Sequence, residues 1–117
     1  MTLIDKEPVK RVQKILKQLE TNSEVIVLKS SARTALEAAK SLNCEVGAIV
    51  KSLLFKTEQN FILCLVAGDK KASLNKIKKI LNMKDISMAS ADDVKNVTGF
   101  TIGGVSPIGH VNKIEIL

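Results

Sequence analysis

Gly99-Phe-Thr-Ile-Gly-Gly-Val-Ser-Pro-Ile-Gly-His110 holds four of the chain's six glycines, one of its two prolines and its only histidine. Glycine loses more backbone entropy on ordering than any other residue, so such a cluster marks a place where side chains are unwelcome. The backbone there needs unusual dihedrals or is approached closely by another group. Pro107, just beyond Gly103-Gly104, fixes its own φ and stiffens the loop. A stiff loop with bare amides is a wall of N–H donors, suited to an anion or to the oxyanion of an acyl-transfer transition state. It is not a Walker A loop, because no Gly-Lys-Ser/Thr ending is present, and it is not the dinucleotide fingerprint, which sits between a first strand and a helix.

Lys51 is the second candidate. It interrupts the apolar run Ala48-Ile-Val-Lys-Ser-Leu-Leu-Phe55. On a strand its side chain shares a face with Ile49, Leu53 and Phe55. A lysine on an apolar face must snorkel, pair or serve a pocket; the plainer alternative is an edge-strand lysine that blocks aggregation. Arg33, in Ser30-Ser-Ala-Arg-Thr34, lies just before a helix start, where an anion is welcome, though taken alone it reads first as a solvent-exposed loop residue. His110 is the sole imidazole. A triad with Ser106 finds no support in the spacing, and a structural or substrate-contacting histidine fits better. With one histidine and no Cys-x-x-Cys pair, the chain has no ligand set for a transition metal. Cys64 sits in an apolar run and reads as a small buried hydrophobe, while Cys44 follows a helix end; a disulfide between them is not expected.

These residues need a scaffold. At 117 residues, 45% of them hydrophobic, the chain is expected to be one domain, residues 1–117, with a real core. Its net charge is +6 and its pI about 9.5, which points to a polyanionic partner such as nucleic acid. Lys70, Lys71, Lys76, Lys78, Lys79 and Lys84 crowd one segment, and Lys6, Lys10, Arg11, Lys14 and Lys17 another. With three Phe and no Tyr or Trp, phosphate contact is favoured over base stacking. No apolar run reaches the ~20 residues of a membrane span. The acidic start, Met1 to Pro8, lacks a signal peptide's apolar stretch, so a cytoplasmic protein is expected.

The pattern predicts a helix over 8–20, with Val9, Val12, Leu16 and Leu19 on one stripe. Val25 to Leu28 reads as a buried strand. Thr34-Ala-Leu-Glu37 is a capping box opening a helix to Leu42. Ile49 to Phe55 and Phe61 to Val66 read as a hairpin turning at Lys56 to Asn60. Ser73 caps a helix from Leu74 to Leu81, and Ile86 to Ala89 is a short strand. Ser90 caps a helix over Ala91 to Val97 that Gly99 ends. Lys113 to Leu117 has strand character. The expected class is α+β, with a mixed, mainly antiparallel, barrel-like sheet and surrounding helices.

In combination these segments resemble the YbaK/prolyl-tRNA synthetase-associated domain family, which comprises single-domain aminoacyl-tRNA deacylases and the related synthetase editing domain. Ser31-Ala-Arg-Thr-Ala-Leu-Glu-Ala-Ala39 is similar to the family's early helix start. Gly47-Ala-Ile-Val-Lys-Ser-Leu-Leu-Phe55 resembles the strand bearing its essential lysine, here Lys51. Thr98 to His110 resembles its Gly-x-x-x-Pro loop, with Gly103 and Pro107 as the ends. Ala67-Gly-Asp-Lys70 and Met88 to Val94 fit as well.

The resemblance implies hydrolysis of the ester that joins a wrongly attached amino acid to the terminal adenosine of tRNA. In that scheme Lys51 and the amides of Gly103 and Gly104 carry the chemistry. Ser31, Arg33, Ser52, Ser106, Pro107 and His110 contact substrate, and neither cofactor nor metal is needed. The implied partners are mischarged tRNA and an aminoacyl-tRNA synthetase, with no membrane; a non-catalytic tRNA- or synthetase-binding module is the alternative. Family members accept alanine, cysteine, proline, serine or threonine, a choice set by pocket size. They also run on through a further strand and a helix, including a small-residue segment that lines the pocket. A chain ending at Leu117 is therefore expected to have an open sheet edge and an incomplete pocket.

Overall fold

The computed structural model describes residues 3–20, 22–28 and 32–117. Helix α1 spans Glu7–Gln18, with Pro8 in its first turn, where a missing N–H costs nothing. Helix α2, Ala35–Leu42, starts as the capping box predicts, with Thr34 Oγ1 accepting from the Glu37 amide. Strands β1 (Val50–Lys56) and β2 (Phe61–Ala67) form the antiparallel hairpin, in the register Lys51↔Val66, Leu53↔Cys64 and Phe55↔Ile62. Helix α3 (Leu74–Leu81) begins at Ser73, whose hydroxyl accepts from Lys76 N. Strand β3 is Ser87–Met88, and helix α4 (Ala91–Thr98) is capped by Ser90 and ended by Gly99 in the left-handed region. Strand β4 is Glu115–Ile116.

The strand order is β3-β1-β2-β4; β3 runs antiparallel to β1, and β4 parallel to β2. The sheet is thus mixed and mainly antiparallel, as expected. It is open, with β3 and β4 as its edges, and the expected barrel-like closure does not occur.

Both faces of the hairpin are covered, which explains why Phe61–Ala67 reads as a continuous apolar run rather than an alternating one. On one face Phe55, Ile62 and Cys64 pack with Ile77 of α3 and with Ile86. On the other, Leu54 and Leu63 pack with Ala89 and with Val94 of α4, flanked by Val105 and Ile114.

Two expectations are corrected. Val25 to Leu28 forms no strand; Ile26 is 65% exposed. A four-residue apolar run has strand composition, but neither sheet edge takes it. Leu19 is not part of the α1 stripe: the helix stops at Gln18 and leaves Leu19 exposed at its C-cap.

Candidate active site

Strand β3 is only two residues long, and this shortness makes the site. It pairs with β1 at Phe55 and Lys56, and one more bond runs from Ala89 N to Leu54 O. There the chain turns into α4, so among the described residues the edge of β1 from Val50 to Leu53 has no neighbouring strand. The ladder fixes which groups face that gap. Leu65 N donates to Leu117 O, and Leu117 N to Leu63 O, so Leu63 and Leu65 direct their amide groups towards β4. Their partners on β1, Leu54 and Ser52, accordingly direct theirs away from β2, as antiparallel pairing requires. The main chain of Ser52 is therefore turned to the open edge.

A cleft of about 620 Å³ runs along this edge, a size typical of ligand pockets. The start of α2 supplies Arg33, Thr34 and Leu36; β1 supplies Lys51, Ser52 and Leu54; α4 supplies Val94; the glycine-rich segment supplies Ile102, Gly103 and Val105. Because the cleft lies at a strand edge, side chains from both faces of β1 reach it. Lys51 comes from the α3 face, and Ser52 from the α4 face.

The cleft is apolar in bulk and positive in charge. Arg33 and Lys51 line it, and no aspartate or glutamate does. Neither cation forms an ion pair with a carboxylate among the described residues. The Lys51 ammonium donates to the main-chain oxygen of Lys70, in the turn after β2. A carbonyl orients the amine without cancelling its charge, and an ammonium has three protons, so two stay available. Ser52 Oγ is buried with no hydrogen-bond partner among the described residues. A buried hydroxyl without a partner is uncommon and marks a place where a ligand group can complete the pairing.

Gly103 adopts φ +83°, a conformation that disfavours side chains, and its N–H carries no hydrogen bond among the described residues. The Gly104 amide, by contrast, closes a turn on Thr101 O at 2.9 Å. Of the two donors expected from the sequence, the structure leaves only Gly103's unpaired.

The aminoacyl-tRNA editing domain family model matches residues 29–117. The chain belongs to this family. It is 30% identical over 103 residues to a proline–tRNA ligase of Caldicellulosiruptor saccharolyticus, covering 88% of this chain and 17% of that one. It is 31% identical over 117 residues to a proline–tRNA ligase of Kosmotoga olearia, covering 100% and 19%. The chain thus spans less than a fifth of the length of these curated relatives. A solved protein proposed to be a trans-editing enzyme for prolyl tRNA synthetase superposes with a TM-score of 0.88 at 37% identity, over 95% of this chain and 71% of that one.

In this editing domain the cleft brings together Arg33, Lys51, Ser52 and Gly103, residues drawn from three separate motifs. Gly104, Ser106, Pro107 and His110 are not among the lining residues. Ser106 Oγ accepts from Ile108 N, and His110 Nε2 lies 2.7 Å from Ser106 O while its ring meets Phe100 edge-on. Both side chains brace the loop, and no Ser-His pairing forms. Ser31 lies outside the described residues.

Thr98 is a residue that sequence reasoning passes over. It is fully buried; its hydroxyl donates to Val94 O at 2.6 Å and accepts from Phe100 N at 3.0 Å. It thereby fixes where the glycine-rich segment leaves α4. Its position at the C-terminal end of an amphipathic helix looks like an ordinary polar surface site, so no sequence signal separates it. Arg11 is another, hidden among the basic residues of α1.

Proposed function

We propose that this editing domain hydrolyses the ester of mischarged aminoacyl-tRNA. One observation carries the reading: Lys51, Arg33 and the unpaired Gly103 amide border one apolar cleft that contains no carboxylate. Such a cleft suits a small amino-acid side chain beside a phosphate. In this scheme Lys51, with Arg33 nearby, holds the phosphate of the terminal nucleotide. The acyl group lies against Leu54, Val94, Ile102 and Val105, and the Gly103 N–H is directed at the carbonyl oxygen.

The chemistry makes few demands. An aminoacyl ester is already activated, so no protein nucleophile is required. Water adds to the carbonyl carbon, and the tetrahedral oxyanion is held by the Gly103 amide. The intermediate then collapses by breaking the bond from that carbon to the ribose oxygen. The ribose oxygen takes up the proton that the attacking water gives up, leaving free amino acid and tRNA with an intact 3′ end. An oxyanion donor in comparable sites contributes about 3 kcal/mol, and positioning of the ester against water supplies much of the rest. The family match and the likeness to prolyl-tRNA synthetase editing proteins support the reaction class. A tRNA partner, a synthetase partner and a cytoplasmic setting follow from the same proposal.

The test is a deacylation assay over a panel of mischarged tRNAs, with release of free amino acid as the readout. Turnover on at least one small-residue ester, lost in Lys51→Ala, is the expected result. Salt-dependent tRNA binding with no hydrolysis of any panel member would instead identify a binding module.

A further inference from the structure

Helix α1 lies outside the segment matched by the family model, and none of its residues is buried. It nonetheless reaches the glycine-rich segment, where Val12 lies beside Gly109 and Arg11 makes the polar contacts. Arg11 Nε donates to Gly109 O, and Arg11 Nη2 donates to Gly99 O at 3.2 Å. The same guanidinium lies over the Phe100 ring, 4.7 Å from its centroid, and its Nη1 pairs with Glu7 at 2.6 Å. One planar fork thus joins the first and the penultimate residues of the segment Gly99 to His110.

The glycines are fitted to this contact. Gly99 has φ +80° and Gly109 φ +79°. A Cβ on Gly99 would lie 2.7 Å from Arg11 Nη2 and 2.6 Å from Val111 Cγ1, so only a bare Cα admits the guanidinium. A Cβ on Gly109 would rest on Val12, the next residue of α1. Between these two tied ends the chain has no helix or strand, and Gly103 stands at its tip on the cleft.

We propose that Arg11 is a positioning residue for the cleft: it closes the glycine-rich loop from outside and so sets where the Gly103 amide is held. This rests on the deacylase reading for its catalytic consequence, but the loop closure itself does not. The fork geometry is what counts. A lysine keeps the charge but has a single nitrogen, which cannot reach both carbonyls while stacking on Phe100. Glu7 is exposed at the far side of the guanidinium, and a surface pair of that kind contributes little.

The experiment compares wild type with Arg11→Met, Arg11→Lys and Glu7→Gln by amide hydrogen exchange and by deacylation kinetics, at a temperature where each is folded by circular dichroism. Both Arg11 variants are expected to speed exchange across residues 99–109 while the β1–β2 hairpin keeps its protection. They should lower kcat on the order of 10²-fold, the usual effect of a roughly 1 Å misplacement, with KM little changed. Glu7→Gln should match wild type. Exchange unchanged over residues 99–109, or raised uniformly over the whole chain, overturns the proposal. So does a kinetic effect confined to KM and its salt dependence, which would make Arg11 a phosphate contact. Arg11→Lys carries the comparison if Arg11→Met does not fold. If wild type hydrolyses no mischarged tRNA, the functional reading fails and the exchange result alone decides the role of Arg11.

Discussion

The ammonium of Lys51 donates to the main-chain oxygen of Lys70, so the cation at the cleft is oriented by a neutral group and keeps its charge. Had the partner been a carboxylate, the pair would be a structural ion pair and the cleft would lose half its positive lining. Lys51→Met should therefore leave stability within about 1 kcal/mol of wild type, the net worth of an ordinary hydrogen bond. Deacylation should fall on the order of 10²-fold or more, as for loss of a charge-assisted substrate contact. Urea denaturation beside single-turnover deacylation checks both halves. A variant that loses stability and activity in proportion would show Lys51 to be structural.

Thr98 makes a second prediction. Its buried hydroxyl serves Val94 O and Phe100 N at once. Thr98→Val keeps the shape and removes both bonds, stranding a buried amide. The cost should be on the order of 1–3 kcal/mol. Equilibrium urea unfolding measures it. Because Thr98 O also accepts from Val111 N, faster amide exchange should begin at Phe100 and Val111 rather than in α3.

The two cysteines differ in chemistry. Both are free thiols; Cys44 is exposed, and Cys64, on β2, is buried in the cluster formed with Phe55 of β1 and Ile77 of α3. Burial raises the Cys64 pKa, since the thiolate is poorly solvated there. The folded state then holds that proton more tightly than the unfolded chain does. Its contribution to stability is complete below the ordinary thiol pKa of about 8.5 and is lost as pH rises above it. Native protein should consume one equivalent of a thiol reagent quickly at pH 8 and the second only on unfolding. Between pH 8 and 10, Cys64→Ala should lose less stability than wild type.

The parts of the fold legible in the sequence are those set by local rules. Thr34, Ser73 and Ser90 each begin a helix where a cap is expected, because a side-chain oxygen accepting from an amide two or three residues on is a short-range event. Lys51 stands out for a similar reason: one charge in an apolar strand is visible without tertiary information. The parts that were not legible depend on distant partners. Val25 to Leu28 has strand composition but pairs with neither open edge of the sheet, and the parallel docking of β4 on β2 leaves no periodic trace. Arg11 reads as one more solvated cation, since its partners lie about ninety residues further on. Gly103 and Gly104 look equivalent as a dipeptide, and only the backbone separates them.

That separation gives the sharpest test of the oxyanion assignment. Gly103 has φ +83° and open space where a Cβ would go, so alanine there meets no atom but strains the backbone. The strain is about 1–2 kcal/mol, and its relief would turn the Gly103 amide. Gly104 has no left-handed φ, and a Cβ would make ordinary contact at 3.6 Å with Thr101. Its amide stays in the turn to Thr101 O. Gly103→Ala should therefore lower kcat for deacylation by tens- to hundreds-fold, in keeping with loss of one oxyanion donor, whereas Gly104→Ala should remain within about threefold of wild type, well under a 1 kcal/mol effect. Parallel kcat measurements on a mischarged tRNA decide between them. If the two variants lose activity equally, both amides act together, and the turn at Thr101 must open when substrate binds.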